Sequence, residues 1–285
     1  GDATLLQRAG SGFAPISLGR PPSRIRAAIT DPSGAVVLIL GGQTQPQPRA
    51  ANRADEPLPW LMRGRVVVAW AEHTGLRCAP EDVPAQWNPF RLKAGRFAGE
   101  DNVLVAVYKR SPFDAVARWR PFIFRVTHPA GSPPRLQPRW RGSAFSHPFV
   151  DATFGDFTGS GEGEIAALEV AADGGRLLTA YHFEGFGLEG LAPTIALPEV
   201  DDYLLAADVC ADSRAELVVL SRGDSPTFLA FGLTRGEPPE LVQIARAPAP
   251  TEVIAWTAAL GGVVCIGRDG KLHQVRWQAT VRAAQ

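Results

Sequence analysis

The chain has 285 residues, 45% hydrophobic and 20% charged, and its 29 basic and 29 acidic residues cancel to a formal net charge of zero. That composition belongs to a folded globular protein and excludes disordered and collagen-like chains. No apolar run approaches the roughly 20 residues a membrane-spanning helix needs, so no transmembrane segment is expected in this chain.

The chain opens Gly1-Asp2 without Met. Its natural start is expected upstream, where a leader, a membrane anchor or a further domain would lie. Residues 3–13, ATLLQRAGSGF, read as a lone strand. From there the apolar residues come in short runs rich in Val, Leu, Ile and aromatics, divided by Gly, Pro, Asp and Ser, which is the pattern of many short strands. Five openings share one plan of strand, tight polar turn and more apolar strand. They are RIRAAITDPSGAVVLIL, FRLKAGRFAGEDNVLVAVY, VDATFGDFTGSGEGEIAALEV, YLLAADVCADSRAELVVL and VIAWTAALGGVVCIGRDG. The last four begin about 50–60 residues apart, the period of a four-stranded propeller blade.

The second strands NVLVAVY, EIAALEV, ELVVLS and AVVLILGG are apolar on both faces, as strands sandwiched between neighbouring sheets must be. The fold expected is an all-β, five-bladed β-propeller in one domain over residues 1–285. Its blades run roughly over 18–84, 85–143, 144–200, 201–250 and 251–285. The last is completed by the N-terminal strand 3–13, which would hide two sheet edges from water. Six blades is the alternative. Trp140, Phe183, Phe231 and Trp277 are read as packing between blades.

The third unit carries GDFTGSGEGEIAAL at 155–168, and AADVCADSRAELVVL repeats it more weakly in the fourth. These stretches resemble the FG-GAP/VCBS repeats of integrin-like propellers over about 145–250. The resemblance implies a propeller, an extracytoplasmic (periplasmic or cell-surface) location and, in many such loops, calcium. Mapped onto this chain, Asp156, Thr158, Ser160 and Glu164 would be the metal ligands. In the fourth unit Asp208, Cys210, Asp212 and Glu216 fall at those places, and a cysteine is a poor donor for a hard cation. Arg96 stands at the first ligand place of the second unit. The loops are therefore read as turns closed by their own side chains, with no cofactor, and calcium at Asp156 is the alternative.

No phosphate loop, zinc-protease helix or nucleophile elbow appears. Five histidines are scattered, and Cys78, Cys210 and Cys265 form no Cys-x-x-Cys pair. They are read as free, with one disulfide as the alternative. Only three of the basic residues are lysine, which fits a GC-rich bacterial genome. Arg222-Gly223-Asp224 makes the adhesion tripeptide inside ordinary turn chemistry. Residues 91–150 hold 11 Lys/Arg against 3 Asp/Glu, and residues 151–240 hold 4 against 17. The acidic half would oppose nucleic acid.

Two stretches, 43–64 and 109–121, are read as insertions between second and third strands, and loops on a rigid scaffold are where binding resides. Trp60 in the first, and Arg110, Phe113, Arg118, Trp119 and Arg120 in the second, form the expected contact set for a protein or glycan partner. The function expected is a non-catalytic binding or scaffold module. The alternative is a glycoside hydrolase using paired carboxylates among Asp156, Asp201, Asp202 and Asp208.

Overall fold

A computed structural model of the chain describes residues 3–9, 12–19, 25–30, 36–40, 65–72, 75–78, 83–112, 114–130, 132–223, 225–250, 252–259 and 262–279. The chain is all-β, built of small antiparallel sheets that are meanders of consecutive strands. It divides into two compact units: Gly1–Gln47, Ala51–Ala94 and Asp101–Ala144 in the first, and Pro48–Ala50, Gly95–Glu100 and Phe145–Gln285 in the second. Among the described residues no helix is long and apolar enough to cross a membrane.

In the first unit β1 (Ala3–Ala9) pairs with β2 (Gly12–Gly19). Strands β3 (Ile25–Thr30), β4 (Val36–Leu40), β5 (Arg65–Glu72) and β6 (Gly75–Cys78) form a four-stranded meander. A second meander runs through β7 (Pro89–Phe97), β8 (Glu100–Ser111), β9 (Asp114–Thr127) and β10 (Arg135–Trp140). The end of β7 from Gly95 and the turn to Glu100 belong to the second unit. Val37 and Ile39 of β4 and Val66 and Val68 of β5 pack with Val103, Val105 and Val107 of β8 and with Phe122 and Phe124 of β9. Every second residue of these strands enters that core because side chains alternate across a strand.

The second unit repeats the plan. Its first sheet holds β11 (Phe149–Gly155), β12 (Glu164–Val170), β13 (Arg176–Phe183), β14 (Leu188–Gly190) and β15 (Ile195–Leu197), the last two both paired to β13. The next holds β16 (Leu205–Ala207), β17 (Glu216–Ser221), β18 (Thr227–Leu233) and β19 (Leu241–Pro248). A third holds β20 (Val253–Ala259), β21 (Gly262–Gly267) and β22 (Leu272–Gln274). The short β23 (Gln278–Ala279) joins the edge of β19.

Strand β17 shows why the inner strands are apolar throughout. Leu217 and Val219 pack against Ala166, Leu168 and Leu178 of the preceding sheet, while Val218 and Leu220 pack with Val263 and Cys265 of the following one. A strand covered on both faces has no polar side to present. Phe231 is buried in the first of these cores, Phe183 lies 5.3 Å from Phe97, and Trp277 lies 6.5 Å from Phe228. These aromatics pack between sheets, as expected.

Two expectations are corrected. Among the described residues four sheets, not five or six, hold four or five strands, and the last unit stops at three. The N-terminal strand does not complete it. Instead β1 pairs through Leu5↔Ile16 and Leu6↔Pro15 with β2, and β23 pairs with β19. A hairpin closes a very short loop, whereas joining the two ends of the chain closes one of nearly its whole length, which costs more chain entropy.

Candidate functional site

The calcium-like loop is built where β11 turns into β12. Glu164, the first residue of β12, is 5% exposed and folds back over the loop. Its Oε2 accepts the backbone N–H of Phe157 at 2.7 Å and that of Thr158 at 3.4 Å. Its Oε1 accepts the hydroxyls of Thr158 at 2.5 Å and Ser160 at 3.2 Å. Asp156 Oδ2 accepts the N–H of Gly161 at 2.9 Å. Glycines 159, 161 and 163 all sit at φ +78°, where a side chain is strained. Three of the four ligand candidates are thus bonded to one another, and the fourth closes the turn.

The fourth unit's loop copies this arrangement. Glu216 Oε2 accepts the N–H groups of Val209 at 2.6 Å and Cys210 at 3.3 Å. Asp208 accepts those of Asp212 and Ser213, both at 3.1 Å. Burial pushes the Glu216 carboxyl above its usual range, against the pull of the two backbone donors, and Asp212 and Asp208 add to the rise. The Cys210 thiol is pushed up to about 11 by burial and then by Glu216 and Asp212. That raises the cost of forming a thiolate and leaves Cys210 a poor metal ligand and nucleophile near neutral pH.

The two loops are tied by Arg214. Its Nε and Nη2 donate to the carbonyl of Phe157 at 3.1 and 2.6 Å, and Nη2 also reaches the Leu233 carbonyl at 3.3 Å. Ala215 N–H adds a bond to the Asp156 carbonyl at 2.8 Å. On the other side, Ala98 and Gly99 donate to the carbonyls of Gly163 and Glu162 at 3.1 and 2.7 Å. Beside Arg214 opens a cleft of about 780 Å³ lined by Asp156, Ser160, Asp212, Arg214, Thr234 and Arg235, among others. Its lining mixes hydroxyls, carboxylates and guanidinium groups with glycine, leucine and proline surface.

The carboxylates expected to serve a hydrolase have other duties. Asp202 receives Arg176 at 2.9 and 2.6 Å, and Asp201 receives Arg222 at 2.5 Å. Asp156 and Asp208 brace their own loops. Arg222, the arginine of the adhesion tripeptide, is therefore committed to Asp201, and Asp224 lies outside the described residues.

The stretch 109–121 is not an inserted loop. It continues β8 and β9 as a hairpin with Lys109↔Arg118 and Tyr108↔Trp119 as cross-strand pairs. Trp119 is 4% exposed, its ring 4.2 Å from Tyr108, and Arg120 is buried with Nη1 3.4 Å from the Gly142 carbonyl. Arg110 and Arg118 are exposed. Strand alternation turns Ala117 and Trp119 inward and Arg118 outward, while Arg120, on the face of Arg118, is buried with its guanidinium near the Gly142 carbonyl. Phe113, Trp60 and the whole of 43–64 lie outside the described residues; that segment joins β4 to β5, the second and third strands of their sheet.

Sequence reasoning missed one buried network. Glu169 of β12 is fully buried and accepts the Tyr181 hydroxyl at 2.7 Å, the Thr179 hydroxyl at 2.9 Å and His147, whose Nδ1 lies 3.2 Å away. Burial and the Glu169 charge raise the Tyr181 phenol well above its usual range. The glutamate stands between Leu168 and Val170 near the end of an otherwise apolar strand, which is the available signal. Cys210 and Cys265 are free thiols.

Fold and loops together define an all-β protein of small antiparallel meanders in which two neighbouring turns are bonded to each other. No family model matches the chain, and no curated protein matches it. Among solved structures, it is similar to a Bacteroides uniformis protein described provisionally as a 6-phosphogluconolactonase. The identity is 12%, the coverage 95% of this chain and 92% of the other, and the TM-score 0.46. A likeness of that size carries neither an activity nor a residue role to the present chain.

Proposed function

We propose that the chain is a non-catalytic binding module of FG-GAP/VCBS type, exported from the cytoplasm, which takes a hydroxyl-rich glycan in the cleft beside Arg214. The observation that carries this reading is the lining of the cleft. Ser160 and Thr234 bring hydroxyls, Arg235 a guanidinium and Asp156 and Asp212 carboxylates to the lining of an open cleft. Such a surface matches the many donors and acceptors of a sugar better than it matches an apolar ligand, which favours an enclosed greasy pocket.

Its carboxylates are engaged as loop braces, which supports binding over hydrolysis. A hydrolase needs one carboxyl to give a proton and another to attack or activate water. Asp156 and Asp212 instead accept backbone N–H groups at 2.9 and 3.0 Å.

The test is a glycan array followed by calorimetry on each hit, with aryl glycosides assayed in parallel. Binding without turnover, weakened about tenfold or more by R235A and T234A, is the expected result. Turnover of any glycoside, or glycan binding indifferent to both substitutions, overturns it.

A further inference from the structure

We propose that the β13–β14 hairpin holds a divalent transition-metal cation, of the zinc class, through His182, Glu184 and Glu189. The site is separate from the calcium-like loops and rests on different residues. His182 and Glu189 are a cross-strand pair, and Glu184 follows His182 by two residues, on the same face of the hairpin. The turn between them is tight: Glu184 N–H bonds the Gly187 carbonyl at 3.0 Å, and Phe186 N–H bonds the Glu184 carbonyl at 2.7 Å. Backbone pairing therefore fixes where all three side chains start.

Their donor atoms converge. His182 Nε2 lies 2.6 Å from Glu184 Oε1 and 3.8 Å from Glu189 Oε2, and the three ligand atoms are all within 4.8 Å of one another. A zinc-class ion bonded at about 2.1 Å to each would set tetrahedral ligand atoms roughly 3.4 Å apart, inside that spread. Glu184 and Glu189 are 61% and 68% exposed, so small rotations bring them to that spacing.

Charge points the same way. Four other acidic side chains of this unit meet arginine or lysine: Asp202 with Arg176, Asp201 with Arg222, Glu252 with Arg268 and Asp269 with Lys271. Among the described residues, Glu184 and Glu189 share only His182. Two carboxylates are thus held around one imidazole, and like charges so placed repel unless a cation, a protonated His182 or a bound ion, joins them. One nitrogen with two carboxylate oxygens suits zinc, copper or nickel; calcium and magnesium prefer oxygen alone. Water would complete the coordination on the exposed side.

One feature limits the affinity. His182 Nδ1 is buried without a hydrogen-bond partner. A metal on Nε2 places the ring proton on Nδ1, and an acceptor bonded to that proton is worth about 10–100-fold in affinity. Micromolar binding is therefore expected, not nanomolar.

The test is calorimetric titration of the untagged full chain with zinc chloride, checked by competition with a chromophoric chelator. One equivalent should bind in the micromolar range, and E189Q and E184Q should each weaken it at least about tenfold. Both substitutions lie on exposed side chains, so circular dichroism should show intact folds. H182Q should abolish binding, while E164Q, in the calcium-like loop, should leave it unchanged. Millimolar or absent binding overturns the proposal, as does binding that survives both glutamate substitutions.

Discussion

Arg214 reaches out of the fourth unit's turn and forks onto the carbonyl oxygen of Phe157 in the third, with Nη2 at 2.6 Å and Nε at 3.1 Å. In integrin-like propellers a loop of this type often holds a calcium ion. Here a guanidinium from the next loop supplies positive charge to the backbone, and a buried glutamate gathers the loop's N–H and hydroxyl groups from the other side.

Removing that fork should loosen both loops together. R214A leaves the Phe157 carbonyl without its charged donor and is expected to cost about 1.5–3 kcal/mol, the range for hydrogen bonds to charged groups. R214K should recover little, because an ammonium cannot donate two bonds in the guanidinium's fixed plane. Urea unfolding of the three proteins measures both effects, and equal stability of R214A and wild type would contradict the clamp.

Glu164 is expected to matter more than calcium does. With the hydroxyls of Thr158 and Ser160 and the N–H of Phe157 all on its carboxylate, E164A strands several donors and should cost about 3 kcal/mol or more. The same internal bonding predicts that millimolar calcium leaves the unfolding midpoint where chelator leaves it. A clear upward shift with calcium would show that the loop opens its ligands to the ion, since anything binding only the folded state stabilises it.

Glu216 sets a pH dependence whose direction can be worked out. Its folded-state pKa is raised from 4.5, chiefly by burial, so the folded protein holds this proton more tightly than the unfolded chain. The stability tied to that difference is fully present below 4.5 and is lost as pH rises through the folded-state value. Urea unfolding between pH 4 and pH 7, compared for wild type and E216Q, should show a smaller decline with rising pH in the variant. An identical slope would mean that Glu216 does not titrate in this window.

Two glycines of the same loop should respond differently to alanine. Both Gly161 and Gly163 have φ +78°, so each substitution carries the left-handed penalty of about 1–2 kcal/mol. A Cβ at Gly161 meets nothing within 4 Å, and the penalty should end there. At Gly163 it would stand 2.3 Å from the Arg96 carbonyl oxygen, which is backbone and cannot swing away. G163A should therefore be the worse by at least about 2 kcal/mol in thermal or urea unfolding.

Much of the architecture was readable because it rests on local pattern. The runs NVLVAVY, EIAALEV and ELVVLS are apolar at every step, and Leu217 and Val218 do face two different cores. The Asp-x-Thr-x-Ser spacing at 156–160 also gave the turn correctly, since Asp and Ser side chains satisfy backbone groups only a few residues away. Where partners come from afar the reading failed. Residues 109–121 look like an insertion because Pro and Arg interrupt the run, yet Trp119 and Arg120 lie inside a long hairpin. The first strand reads as a lone piece that completes the last unit, although Gly10-Ser11 separates it from a ready antiparallel partner.

What the sequence determined by itself is the set of strands and turns, because alternation, β-branched content and glycine placement act through contacts a few residues apart. The tertiary structure alone decided which acidic groups are spoken for: Asp201 by Arg222, Asp202 by Arg176, Glu169 by Tyr181 and Thr179. It also decided which are not, leaving Glu184 and Glu189 together around His182. An ion pair or hydrogen bond depends on distance in space, and residues 10 to 57 positions apart become neighbours only once the strands have paired and the sheets have packed.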